Sequence, residues 1–193
     1  MFAQDRDLLA LEPNLFRDVS WTGQFLAQDT CVLASGALVV NTIDLEALAV
    51  NTGMVVLVNN QPLEVILRAD SSTLQVSLLR SDPADNTRPP ADQSSATVRI
   101  STFLPQLGIV HAQLLRMFGL MSTYNWYAQG QPAGVATELG VLNPSELVLM
   151  ESLGALHLIY SAASALLGSQ SPAAERAELY RQRFAEERWR AKA

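Results

Sequence analysis

Apolar and polar positions change period twice along this chain. Residues 5–11 (Asp-Arg-Asp-Leu-Leu-Ala-Leu) form a short helical cluster that Pro13 ends. From Leu15 to Thr102 the period falls to two, as in half-buried strands. Gly53–Val58 and Pro62–Arg68, joined by Asn59-Asn60-Gln61, predict a hairpin, and Thr73–Arg80 follows the turn Asp70-Ser71-Ser72 with two distinct faces. Thr97–Thr102, Val19–Leu26 and Ala37–Thr42 supply further strands. At Phe103 the period lengthens again: Leu107, Val110, Leu114, Leu115 and Phe118 make an apolar stripe that ends near Gly119.

The clearest helix start lies at Asn143-Pro144-Ser145-Glu146, where an Asn cap, a Pro at the first helical position and a Glu three residues on agree. Leu147–Leu167 is apolar on almost every turn, and Gly168-Ser169-Gln170-Ser171-Pro172 stops it. A last, charged helix covers Ala173–Trp189, with Ala177, Tyr180 and Phe184 along one face. The fold class expected is therefore α+β. A small helical bundle (residues 1–14 and 103–193) carries an inserted antiparallel β module (15–102, a barrel or sandwich) and closes with a C-terminal helix.

Two segments change this picture. Ser81–Ala96 holds no large apolar side chain, so it reads as a projecting, mobile loop that orders against a partner. The run 147–167 is long enough to span a bilayer. Glu151, His157 and several serines interrupt it, and no basic residue flanks its start, so a buried helix covered in part by neighbouring subunits is expected instead.

Charge is segregated. From Pro172 onward six basic residues face four acidic ones, a net of +2, while the preceding 171 residues hold seven basic and fifteen acidic groups, a net of −8. An acidic body is the opposite of a nucleic-acid binder. The lone Cys31 excludes an intrachain disulfide framework and fits a reducing compartment. Acidic residues at positions 5, 7 and 12, without a basic n-region, give no expectation of a secretory signal.

Candidate chemistry is sparse. His111 and His157 each sit on a predicted apolar helix without a partner at metal-ligand spacing, and a structural role is expected for both. Cys31 with one of them would make a thiol nucleophile only given a base or positive surroundings that stabilise the thiolate. Asp82 and Asp85 fall in the loop, and no nucleophile elbow, phosphate loop or dinucleotide fingerprint is present. Tyr124, Trp126 and Tyr127 read as a packing or subunit-contact cluster. No catalytic residue, cofactor or metal is expected. Tyr180, Arg181, Arg183, Phe184, Arg188, Trp189 and Arg190 instead combine the aromatic and Arg types that dominate interfaces, and they are the expected contact residues toward a larger partner or an adjoining subunit. A Glu186–Arg190 pair is expected along the same helix.

The segment Ala155-Leu156-His157-Leu158-Ile159-Tyr160, the Gly/Ser break, and Ala177-Glu-Leu-Tyr-Arg-Gln-Arg-Phe-Ala-Glu-Glu187 resemble the closing helices of head–tail connector (adaptor) proteins of tailed bacteriophages. The likeness covers about fifty residues, extends more loosely to 103–119 and to Asp7–Pro13, and leaves the β module outside it. It implies a virion structural protein that forms a homo-oligomeric ring, usually a dodecamer, beneath the portal protein. Such a ring continues the DNA channel without sequence-specific DNA binding and offers a docking surface to a tail or stopper/terminator protein. It also implies location in the neck of the virion, assembly in the host cytoplasm, and no membrane. Other tail-completion or baseplate subunits, and an enzyme whose site forms only in three dimensions, are the competing classes.

Overall fold

A computed structural model describes residues 1–122 and 136–191. The chain divides into two compact units, residues 4–104 and residues 1–3 with 105–193, and together they define an α+β protein.

The first unit is a closed, wholly antiparallel six-stranded barrel. Its strands are β1 (Gln24–Ala34), β2 (Ala37–Val40), β3 (Val55–Val58), β4 (Gln61–Arg68), β5 (Thr73–Ser77) and β6 (Gln93–Thr102), in the order β1-β2-β5-β4-β3-β6. Alternation puts Cys31, Leu33, Leu38, Val40, Val56, Val58, Leu63, Val65, Leu74, Val76, Val98 and Ile100 inside, where closure leaves no strand edge exposed. Two strands are longer or later than the pattern predicts. Val19–Leu26 is not one strand, because Ser20–Thr22 form a 3-10 turn in which the Thr22 hydroxyl donates to the Val19 carbonyl at 2.9 Å. β6 begins at Gln93, inside the expected loop, because β1 pairs with it as far as Leu33↔Gln93.

The remaining loop is exposed from residue 81 to 89 and is anchored by side-chain contacts. Buried Glu64 accepts from Arg80 Nε at 2.5 Å and lies 2.7 Å from Arg6 Nε; Arg80 Nη1 then donates to the carbonyls of Pro83 and Asp85. Ser77 Oγ and Leu78 N–H hold the backbone of Arg88.

Residues 4–14, expected with the helices, cluster with the barrel. The reason is α1 (Asp5–Leu11): the fully buried Asp5 carboxylate accepts from Thr102 Oγ1 at 2.6 Å and from Phe103 N–H at 2.9 Å. Arg6 N–H donates to the Gly53 carbonyl, and Leu8 and Leu9 are buried. The short α2 (Leu15–Asp18) follows, with Phe16 edge-on to Phe103.

The second unit is built on α3 (Leu104–Phe118), α4 (Pro144–Leu167) and α5 (Pro172–Arg190). Pro sits in the first turn of both α4 and α5, and Gly168, with φ at +96°, ends α4 as its position after the helix predicts. The Asn143 side chain does not cap α4. Its amide instead lies 3.5 Å from the Glu146 carboxylate, so the expected box is replaced by a side chain–side chain contact. At Gly154 three helices converge: a Cβ there would meet Val110 at 2.7 Å and the Phe184 ring at 3.1 Å, so only glycine allows this spacing. Tyr160 and Tyr180 stack with centroids 5.8 Å apart, and Arg176 both donates to Tyr160 Oη and lies over its ring.

α4 is long and apolar enough to cross a membrane by length and composition, but 61% of its most apolar window is buried within the chain. Its middle, Met150–Leu156 with Ile159 and Tyr160, is buried within the chain. Exposed leucines remain only near its ends, at 149, 166 and 167.

Candidate functional site

The predicted contact residues of α5 separate into two groups. Tyr180 is buried on Tyr160, and Phe184 is half-buried against Gly154, so both serve the α4–α5 packing. Arg188 lies over the Phe184 ring and donates to Met117 Sδ at 3.4 Å. Outward are Arg181, paired with Glu178 at 2.6 Å, Arg190, paired with Glu187, Arg183, and Trp189, which is 76% exposed. The ion pair on the last turn therefore joins Glu187 to Arg190, not Glu186 to Arg190. Arg181 holds the Glu178 carboxyl well below its ordinary range, at about 2. Leu179, one turn from Arg183 on the same outward face, is also exposed.

A second constellation, which sequence reading missed, is buried between α3, α4 and the 3-10 turn Glu138–Gly140. His111 presents Nε2 to Glu138 Oε2 at 2.7 Å and Nδ1 to Glu151 Oε1 at 3.3 Å. The second contact is not aligned for a hydrogen bond. The other oxygen of Glu151 accepts from the backbone N–H groups of Phe2 (2.7 Å) and Ala3 (2.9 Å), and the Phe2 ring leans on the imidazole at 5.0 Å. Burial drives the Glu151 carboxyl above its ordinary range, while the Ala3 amide, His111 and the Phe2 amide pull the other way. An imidazole between two carboxylates can hold and pass a proton. Here Glu151 is fully buried and the other two side chains nearly so, and the direct result is that residues 1–3 are stapled to α3 and α4. The signal was present: two ionisable residues, His111 and Glu151, on otherwise apolar helices demand partners.

The remaining candidates resolve into structural roles. Cys31 is 1% exposed in the barrel interior, and burial, with the Asp29 charge, pushes its thiol up, away from the thiolate a nucleophile needs. His157 Nδ1 contacts the Ala177 carbonyl at 3.1 Å and ties α4 to α5. Asp82 and Asp85 bond within their own turn. Among the described residues no group of three or more His, Cys, Asp or Glu is placed to hold a metal ion. Tyr124, Trp126 and Tyr127 lie outside the described residues.

Fold and site together define an α+β chain: a six-stranded barrel, a helical unit with an outward aromatic–Arg helix end, and a buried His–carboxylate staple. No protein-family model matches this chain, and comparison with curated proteins and with solved structures yields no match either.

Proposed function

We propose that this chain is a structural virion protein, a head–tail adaptor that assembles with copies of itself into a ring beneath a portal protein and presents a surface to the tail. The observation that carries this reading is the outward face of α5, where Trp189, Leu179, Arg183 and Arg190 stand exposed on a helix whose opposite face is committed to α4. Large aromatic and Arg side chains left in water on a folded helix suit a protein partner better than a small ligand. The resemblance of this helix pair to connector proteins supplies the kind of partner. The acidic body suits a channel wall past which DNA moves without being held.

The test is native mass spectrometry and electron microscopy of the full chain, alone and mixed with a phage portal protein from the same genome. A ring-sized species stacked on the portal is the expected result. A chain that stays monomeric and does not bind the portal rejects the proposal. The Glu151–His111–Glu138 chain favours one second reading, an acid–base enzyme. Turnover that His111→Gln abolishes while the fold is kept would establish it.

A further inference from the structure

The outer surface of the barrel carries a feature that neither the staple nor α5 explains. Register places Val32 opposite Val39 and Val39 opposite Thr73, while Gln75 on β5 stands opposite Leu67 on β4. Facing residues in such a ladder are direct neighbours, so these positions, with Ala34, form one continuous surface across β1, β2, β5 and β4. Val32, Val39 and Leu67 are 41%, 40% and 54% exposed. None of the six is charged, although the barrel unit holds twelve acidic residues against six basic ones, a net of −6.

The rim of this face is acidic. Asp29 is not part of it: opposite the interior Val98, it lies on the inner side of β1 and accepts from the amides of Asn41 and Thr42. Asp70 accepts from Ser72 in the β4–β5 turn, and Asp92 from Ser35 N–H in the β1–β2 turn. The hydrogen bond from the Ser72 amide holds the Asp70 carboxyl below its ordinary range, so it is anionic at neutral pH. The cations of these strands and the following loop are Arg68, which spends Nη1 on the Leu45 carbonyl, Arg80, which is spent on Glu64 and the carbonyls of Pro83 and Asp85, and Arg88. Two copies meeting face to face would bring Asp70 and Asp92 against their own kind, which opposes an isologous pair.

The surface of opposite character on the same chain is the end of α5. Residues 172–193 carry a net of +2, with Trp189 and Leu179 exposed and Arg183 and Arg190 beside them. A Trp is the side chain that gains most from an apolar seat, and arginines match a carboxylate rim. We propose that the outer face of β1, β2, β5 and β4 is the seat for the end of α5 from a neighbouring copy of this chain, Trp189 resting on Val32, Val39 and Leu67 and the arginines reaching the aspartate rim. Because the two surfaces differ, the contact is heterologous and repeats head to tail. For closure of that repeat into a ring the inference rests on the adaptor reading; the pairwise contact does not require it.

The experiment uses the full chain with Cys31 left in its buried position. Val39→Cys and Trp189→Cys are made as separate single variants and mixed under mild oxidation, with circular dichroism confirming that both fold. The mixed sample should give a disulfide-linked heterodimer at least about tenfold above either variant alone, and the yield should fall as salt rises. Val39→Glu, which adds an anion to the seat, should weaken self-association of an otherwise native chain, and Trp189→Glu should do the same from the other side. A Val39→Cys homodimer as abundant as the mixed product would overturn the assignment in favour of a face-to-face contact. A ring that forms without mixed cross-linking would overturn it while leaving the adaptor reading intact. Absence of both cross-linking and self-association at high concentration also overturns it, and portal binding then decides the adaptor reading by itself.

Discussion

Asp5 offers the sharpest physical test of how this fold is held. It has no exposed surface, and its carboxylate receives two hydrogen bonds, from Thr102 Oγ1 and Phe103 N–H. Burial outweighs them and pushes its carboxyl from 3.8 up to about 7, with the Asp7 charge adding to the rise. The folded state thus binds a proton that the unfolded state has already released between those two values. Stability from this group is fully present below pH 3.8 and is lost as pH rises through about 7. The difference corresponds to roughly 4 kcal/mol over the whole range, of which about 2–3 kcal/mol falls between pH 5 and pH 8.

Asp5→Asn keeps the shape, retains an acceptor for Phe103 N–H and removes the titration. Urea unfolding followed by circular dichroism at pH 5, 6, 7 and 8 would compare the variant with the native chain at each pH. Glu151, whose carboxyl is also raised by burial, slopes the same way in both proteins and cancels in the difference. The variant should gain on the native protein by about 2–3 kcal/mol from pH 5 to pH 8. A difference that stays flat across that range would show that the two hydrogen bonds, not burial, govern Asp5.

Two further perturbations probe the other buried acids. Arg80→Met leaves Glu64 with Arg6 alone and frees the carbonyls of Pro83 and Asp85. Breaking a buried pair costs up to about 3–5 kcal/mol, so urea unfolding should shift by that order and proteolysis between 81 and 88 should accelerate; unchanged cleavage would mean the loop is held by other contacts. Glu151→Leu deprives Phe2 N–H and Ala3 N–H of their acceptor and should cost about 1–3 kcal/mol, with amide hydrogen exchange at Phe2 and Ala3 rising sharply; protected amides in the variant would exclude the staple.

Period carried most of the fold. The alternation in 53–80 and 97–102 defines β3, β4, β5 and the end of β6, and the apolar stripes define α3 and α4 within a residue or two. What failed to show in the pattern shares one cause, long-range polar contact. β1 reads weakly because Gln28 and Thr30 face outward beside Thr97 and Arg99, and only pairing with β6 makes them a strand. The anchoring of the loop does not show because nothing local announces that Arg80 turns back to a buried Glu64 sixteen residues earlier. α1 reads as a helix of the bundle because its apolar face fits any core, whereas Asp5 and Arg6 choose the barrel. The α5 site was half legible. Residue type marked Tyr180 and Phe184 as interface aromatics, and three- and four-residue spacing equally marked them as the packed face, which is where they lie.

The buried ionic groups fall in a pattern that bears on where function resides. Glu151 spends one oxygen on the amides of Phe2 and Ala3, Asp5 is spent on Thr102 and Phe103, and Arg6 is spent on Glu64 and the Arg80 carbonyl. Each is a group that catalysis could have used, and each is engaged in fixing residues 2–6. Desolvated charges of this kind are costly to release, since freeing one partner strands the other in a medium that cannot solvate it. A site that must bind and let go is better built from groups still in water. The exposed arginines and Trp189 of α5, and the uncharged face of β1, β2, β5 and β4 with its aspartate rim, are such groups. Opposite charge and a shared apolar centre are the grounds on which we propose that these two surfaces meet between copies of the chain.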